Sequence, residues 1–286
     1  MSSLLNNRVI FSDNGVLTDM SDHLNDYSGD SESFTIVSAQ DAIYFSGVLP
    51  FNHRFFLLTT PNASPSLMSI SVWDGKQWIA TVDKLDQTLN SARDTTLAAS
   101  GHVSFVLPKT KSWIAEDTDD MDGSGLETLH IYGHYWAKIT FSSNCSFSLK
   151  YLGHKFSDDI DLEFYGYPDL NSSSVKTQYN NGVAKTNWDE QLITSAQTIV
   201  KELARRPLLV SADQIIRWDL FREASTHKLA EMIFLSWGKD GEEQRKVAKE
   251  YFSMAIEQQN HQLDQNANTR LDSNEFAPSL RISRNG

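Results

Sequence analysis

Residues 69–79 of the chain read SISVWDGKQWI, and this stretch has the pattern of a β-hairpin. Apolar and polar residues alternate before the Asp74-Gly75 pair, and apolar residues resume after it, as expected for two strands joined by a tight turn. Asp and Gly both tolerate the positive φ angles that such turns require. The stretch therefore predicts two antiparallel strands.

The two faces of this hairpin allow two interpretations. Trp73 and Trp78 share one face, whether the loop has two or four residues, and the aliphatic residues Ile70, Val72 and Ile79 share the other. If the aliphatic face is the core, the tryptophans stand outside, where they could contact a glycan or a neighbouring subunit. If the tryptophans face inward, they are core residues. The sequence leaves both orientations open.

Short β-prone segments separated by turn residues continue through the N-terminal half. Pro61-Asn62, Ser100-Gly101 and the stretch 122–125 supply turn chemistry between them. We predict an antiparallel, jelly-roll-like β-sandwich over residues 1–152. The predicted strands are Ser33–Ser38, Ala42–Gly47, Phe55–Thr60, Met68–Trp73, Trp78–Val82, His102–Leu107, Leu129–Trp136 and Lys138–Ser142.

The pattern changes near Lys185. Residues 153–185 are rich in Gly, Asn, Asp and Ser, and we predict a connector segment that is extended or looped. Helical periodicity then predicts a helical bundle over residues 186–263, with an acidic loop and tail over 264–286. The fold class predicted for the whole chain is α+β and multidomain, a β-sandwich followed by helices.

Three helices are predicted in the bundle. The first is capped by Thr186 or Asn187 and ends at Arg205-Arg206, before Pro207. Its apolar stripe consists of Trp188, Leu192, Ala196, Ile199 and Leu203. The second helix is predicted from about Asp219 to Trp237 and the third from about Glu242 to Leu263. In the third helix, the residues expected to face inward are Val247, Tyr251, Met254 and Ala255.

Composition limits the function classes. The formal charge of -12 over 286 residues argues against a general nucleic-acid binder, which needs clustered Lys and Arg. The single cysteine, Cys145, excludes an internal disulfide and is expected to be a buried small hydrophobe. No apolar run is long enough to cross a bilayer, so no membrane association is expected. We find no nucleophile elbow, phosphate-binding glycine loop or zincin motif, and we expect no enzymatic activity.

The acidic loop at residues 264–275 resembles a calcium-binding loop. Oxygen ligands stand at Asp264, Asn266, Asn268, Asp272 and Glu275, and the backbone carbonyl of Arg270 would supply a further ligand. Thr269 occupies the position where such loops normally carry glycine, and a helix-terminating turn is the alternative. A bound Ca²⁺ would therefore be the one cofactor that the sequence suggests.

Several stretches of the second half resemble the head-to-tail connector (adaptor) proteins of tailed bacteriophages. They are residues 187–196 (NWDEQLITSA), residues 221–225 (FREAS), the helix with Tyr251-Phe252, and the Asp-rich loop. The resemblance covers about residues 186–276 and rests on the order and lengths of the helices. The first half, with its Trp-Asp-Gly turn and Tyr135-Trp136, is similar to β-sandwich domains attached to phage structural proteins.

The resemblance implies a homo-oligomeric ring of the virion neck, usually of twelve copies, assembled in the host cytoplasm. Its partners would be the portal protein, a head-closure or tail protein, and packaged DNA that passes through without specific binding. In this family a C-terminal tail docks on the portal. The matching residues here are Phe276, Leu280, Arg281, Ile282 and Arg284.

Two other functions compete with this one. The sandwich could recognise host glycans through Trp73 or Trp78, with the helical domain as its mount on the virion. A sugar-cleaving enzyme that uses acids of the sandwich is the third reading, although no pair of carboxylates is fixed by the sequence.

Overall fold

The computed structural model describes residues 7–108, 111–205, 209 and 211–259. The chain forms two compact units, residues 1–154 and residues 155–286. The fold is α+β, with twelve strands in two antiparallel sheets and six α-helices in the described ranges. The acidic loop 264–275 and the tail 276–286 lie outside the described residues.

The first unit contains all twelve strands and one short helix, α1 (Ser21–Leu24). The strands are β1 (Arg8–Asp13), β2 (Val16–Asp19), β3 (Glu32–Ile36), β4 (Ala42–Gly47), β5 (His53–Thr60), β6 (Met68–Trp73), β7 (Trp78–Ala80), β8 (Val82–Asp86), β9 (Gly101–Val106), β10 (Ala115–Glu116), β11 (His134–Phe141) and β12 (Cys145–Gly153). One sheet has the order β2-β1-β4-β11-β6-β7, with β10 paired to β11, and the other has the order β3-β12-β5-β9-β8.

The two sheets share one hydrophobic core, as in a β-sandwich. Alternate residues of β4 and β6, such as Phe45 and Val72, meet alternate residues of β12, such as Phe147. This pattern follows from the period of two in a strand, which directs every second side chain to the same face. Cys145 lies in this core and is buried, as predicted, and its burial raises the pKa of the thiol.

The predicted strands agree with the structure at β4 and β6, but four strands were missed. These are β1, β2, β10 and β12, and only Val82 of β8 was predicted. In β12 the exposed Ser146 alternates with the buried Cys145 and Phe147, a β pattern that the prediction omitted. The two strands predicted over Leu129–Trp136 and Lys138–Ser142 correspond to one strand, β11, which begins only at His134.

Buried Asp41 ties two turns of the sandwich together. Its carboxylate accepts hydrogen bonds from the backbone N–H groups of Asn14, Val37 and Ser38 and from the Ser38 hydroxyl, at 2.7–3.0 Å. Burial alone would raise the pKa of Asp41, but these donors lower it to about 2.

Asp41→Asn is expected to destabilise the sandwich by about 1.5–3 kcal/mol, because an amide NH₂ would face backbone donors that now meet an anion. Chemical denaturation of both proteins at neutral pH measures this difference. The exposed Asp13→Asn is the matched control. Equal stability of Asp41→Asn and the wild type would contradict the expected role.

The second unit is helical. Its helices are α2 (Asp161–Phe164), α3 (Ser173–Tyr179), α4 (Asp189–Arg205), α5 (Arg222–Ser236) and α6 (Glu242–Gln259). Helix α5 contacts both α4 and α6, so it is the central helix. The predicted stripe of α4 is confirmed, since all five of its residues are fully buried. Asn187 accepts a hydrogen bond from the backbone N–H of Asp189 at 3.2 Å, at the start of α4.

The predicted connector 153–185 differs from the structure. From Lys155 onward it belongs to the second unit and contains α2 and α3. Leu162 and Leu170 are buried in one cluster with Trp188 of the bundle. The many turn residues end short helices here instead of producing an extended crossover.

The inward face predicted for α6 was largely wrong. Of the four residues expected inside, only Ala255 is buried, whereas Val247, Tyr251 and Met254 are 47%, 48% and 49% exposed. The residues that pack inward are Ala248, Phe252, Ala255 and Ile256. Helix α6 carries apolar residues on two faces, and periodicity alone did not distinguish them.

Candidate functional site

The tryptophan hairpin is formed as predicted, but both of its faces are covered. Trp73 pairs with Trp78 across the β6–β7 hairpin, and Val72 pairs with Ile79. Ile70 and Val72 lie in the core between the sheets, whereas Trp73 lies in a second cluster on the outer face of the seven-stranded sheet. The aliphatic face and the tryptophan face are therefore both packed, each in a different cluster.

The second cluster lies beneath the segment between β10 and β11. Met121 and Leu126 of this segment are fully buried against Trp73 and Trp136. The indole N–H of Trp73 donates to the Glu116 carboxylate, and that of Trp78 donates to the Ser124 carbonyl at 3.0 Å. Trp73 is only 1% exposed, so it offers no surface to a glycan or a subunit. Trp78 is half-buried.

An open groove of about 530 Å³ lies beside this cluster, and no motif in the sequence indicates it. One wall is the Asn14-Gly15 turn between β1 and β2, and another is the Gly123-Ser124-Gly125 stretch. Its floor includes Tyr44 and Lys138, which are partners in the register of β4 and β11. The remaining lining residues are Ser12, Leu17, Ala39, Gln40, Glu127 and Thr128.

Two opposite charges line this groove. The Lys138 ammonium lies 5.4 Å from the ring centre of Tyr44 and 5.7 Å from that of Trp78, and desolvation lowers its pKa. Burial alone would raise the pKa of Glu127, but backbone N–H groups at 123–125 and at Glu127 itself lower it overall. Burial and the charge of Glu127 raise the pKa of Tyr44 to about 12. Within the described residues, no ion pair involves Lys138.

His130 and His134 are close in sequence but lie in different surroundings. His134 is buried in β11 with its Nδ1 atom 2.8 Å from the Ser46 hydroxyl, whereas His130 lies outside the strand, near Asp119. No cluster of His, Cys, Asp or Glu suited to a metal ion occurs in the part of the chain that the structure describes. The candidate calcium ligands and the candidate portal-docking tail fall outside that part.

Three other histidines form a buried group that the sequence did not reveal. The ring centre of His53 lies 5.3 Å from that of His154 and 6.4 Å from that of His102, and all three residues are at most 2% exposed. Burial lowers the pKa of His53 and His154 well below the usual value, and the charge of Arg54 adds to the effect. His53 and His154 are therefore neutral at physiological pH.

His227 is a packed residue of α5. Its Nδ1 atom lies 2.9 Å from the Tyr167 hydroxyl, and its ring contacts Tyr251 of α6 at 5.3 Å between ring centres. Burial lowers its pKa, although the nearby Glu223 opposes this effect. The residue therefore connects the segment after α2 with α5 and α6.

An exposed apolar face runs along α6. It consists of Val247, Tyr251 and Met254, which follow the spacing of four and three residues that places side chains on one side of a helix. The Tyr251 ring contacts the His227 ring, which in turn contacts the Tyr165 ring. Tyr165 contacts Phe164, which is 82% exposed. We call Val247, Tyr251 and Met254 the α6 face. Its exposure is unusual, because soluble chains rarely leave aligned apolar residues uncovered.

Comparisons with known proteins add little to this description. No protein-family model matches the chain, and no curated protein matches it. One solved structure, titled "CpGH89CBM32-6 produced by Clostridium perfringens", aligns with 12% identity over 52% of this chain and 91% of the other, with a TM-score of 0.27. No helix among the described residues is both long and apolar enough to cross a membrane.

Proposed function

We propose that this chain is a structural protein of a tailed-phage neck, which forms an adaptor ring between the portal and the tail or head-closure proteins. The observation that carries the proposal is the α6 face, three aligned apolar residues that are each about half exposed. The resemblance of residues 186–276 to connector proteins, whose helical bundles pack side by side around a channel, supports the same role.

The α6 face has the geometry of a helix that packs on two sides. Ala248, Phe252 and Ile256 bind α6 to its own unit, while Tyr251 and its neighbours remain for a second copy. Half-exposed Tyr and Met side chains are typical of interface cores, where burying them excludes water. A ring uses such a face repeatedly, because each copy contacts the next through a different surface of the neighbour.

The charge of the chain suits a channel wall. With a net charge of -12, the protein repels phosphate groups, so DNA would pass along it without being held. The portal would be bound by the tail residues Phe276, Leu280, Arg281, Ile282 and Arg284, and the virion would be the site of action. A Ca²⁺ ion at 264–275 would stabilise the end of the bundle.

The mass of the full chain in solution tests this proposal. We expect a ring, with twelve copies of the 32.3 kDa chain as the leading stoichiometry, by native mass spectrometry. Tyr251→Asp is expected to weaken assembly at least about 30-fold, since central interface tyrosines contribute about 2 kcal/mol or more. The new carboxylate would also be buried without a partner.

Ser253→Asp is the matched control, because it adds the same charge at an exposed position of α6 away from the α6 face. We expect this variant to assemble as the wild type does. Far-ultraviolet circular dichroism checks that both variants keep their helices. A wild-type chain that stays monomeric, with and without portal protein, would contradict the proposal.

A further inference from the structure

The groove beside the tryptophan cluster presents a positive charge at one point and a carboxylate that accepts hydrogen bonds at another. Lys138 supplies the positive charge and Glu127 the negative charge, and the two do not form an ion pair with each other. The ammonium is partly desolvated between Tyr44 and Trp78, so an incoming carboxylate would restore the interactions that water no longer provides.

The other lining groups narrow the ligand class. Gln40 and Thr128 offer exposed polar side chains, and Ser12 adds a hydroxyl that already donates to the Gln40 carbonyl at 3.4 Å. A volume of about 530 Å³ lies within the range of small-molecule sites, which is roughly 300–1,000 Å³. The aliphatic side chains in the lining are Leu17 and Ala39, too few to hold a large apolar group. A compact group with more than one negative charge, such as phosphate, is disfavoured because Glu127 would repel it.

We propose that this groove binds an acidic sugar, with the sugar carboxylate on the Lys138 ammonium and its hydroxyl groups on Glu127 and Gln40. A hexuronate unit of a surface polysaccharide has this combination of one carboxylate and several hydroxyl donors. The site lies entirely in the first unit and does not depend on Trp73, which is buried. It is also independent of the ring proposed above, which rests on α6.

Isothermal titration calorimetry on the full chain tests the site with three probes: D-glucuronate, D-glucose and inorganic phosphate. We expect glucuronate to bind with a dissociation constant of about 1 mM, because a single charge-assisted contact in an open groove supplies only a few kcal/mol. Lys138→Met keeps most of the length of the side chain but removes its charge, and it is expected to weaken the binding of glucuronate at least about tenfold. Glucose and phosphate should bind more weakly than glucuronate.

Two further variants make the test decisive. Thr128→Trp places a bulky ring over the groove from an exposed position and should abolish binding without disturbing the core. The control Lys76→Met removes an exposed lysine of the β6–β7 loop and should leave binding unchanged. The proposal is overturned if the wild type does not bind glucuronate, if Lys138→Met binds as well, or if glucose or phosphate binds equally. Each of these outcomes leaves the assembly of the chain, and hence the ring proposal, untouched.

Discussion

Asp159→Ala is expected to destabilise the second unit by about 3–5 kcal/mol, because it leaves a buried ammonium without its counter-charge. The Asp159 carboxylate accepts a hydrogen bond from Lys176 Nζ at 2.6 Å and one from the backbone N–H of Trp188 at 2.9 Å. The Lys176 side chain is only 7% exposed, and its other acceptors are Asn171 Oδ1 and the Thr186 carbonyl. This pair joins α3 to the start of α4.

A double variant separates the ion pair from the loss of a hydrogen bond. Asp159→Ala combined with Lys176→Met removes both charges, and it should recover part of the lost stability because no buried charge remains unpaired. Lys246→Met, which removes a lysine from exposed pairs with Glu242 and Glu243, should have no measurable effect. Denaturant unfolding measures the free energy of unfolding of the wild type and the three variants. Equal losses of stability in the single and double variants would argue against a stabilising role of the ion pair.

The sandwich is expected to lose stability as the pH falls below about 6.5, the usual pKa of an unfolded histidine. Burial, first of all, and nearby positive charge keep the pKa of His53 and His154 well below that value in the folded chain. Below about pH 6.5 the unfolded state therefore binds more protons than the folded state. The stability that depends on neutral histidines is fully present above this pH and declines below it. Each of the two histidines contributes a slope of up to about 1.4 kcal/mol per pH unit.

The groups beside these histidines lower the pKa of His53 and His154 further. Arg54 and His102 act on both His53 and His154. The Tyr151 hydroxyl accepts a hydrogen bond from the backbone N–H of His154 at 3.0 Å. Arg54, stacked 3.7 Å from the ring centre of Phe51, stays charged throughout. A second positive charge beside it would be repelled.

Hydrogen exchange followed peptide by peptide measures this effect in the first unit alone. Peptides from β5, β9 and β12 should lose protection between about pH 6.5 and pH 5, whereas His53→Gln should reduce the slope by up to about 1.4 kcal/mol per pH unit. His130→Gln, at a solvent-exposed histidine, is the control and should keep the wild-type slope. A wild-type slope of zero would show that the histidines do not control acid stability.

Much of the fold and little of the candidate site could be predicted from the sequence. The hairpin at 69–79 and the stripe of α4 were predictable because strand and helix periods direct neighbouring side chains to known faces. In the same way, β4 and β6 were predicted with their observed limits. The groove could not be predicted, since the turn at Gly15, the Gly123–Gly125 stretch and Lys138 meet only after β1, β4 and β11 have paired.

Local pattern by itself determined several strands, the hairpin turn and the main helices, and it determined that the tryptophans and the aliphatic residues of the hairpin lie on opposite faces. Only the tertiary structure decided that both faces are covered, and that Val247, Tyr251 and Met254 face outward on α6. It also decided that His53, His102 and His154 meet in one buried group. The physical reason is the same in each case: periodicity indicates which residues share a face, but burial depends on which distant segment packs against that face.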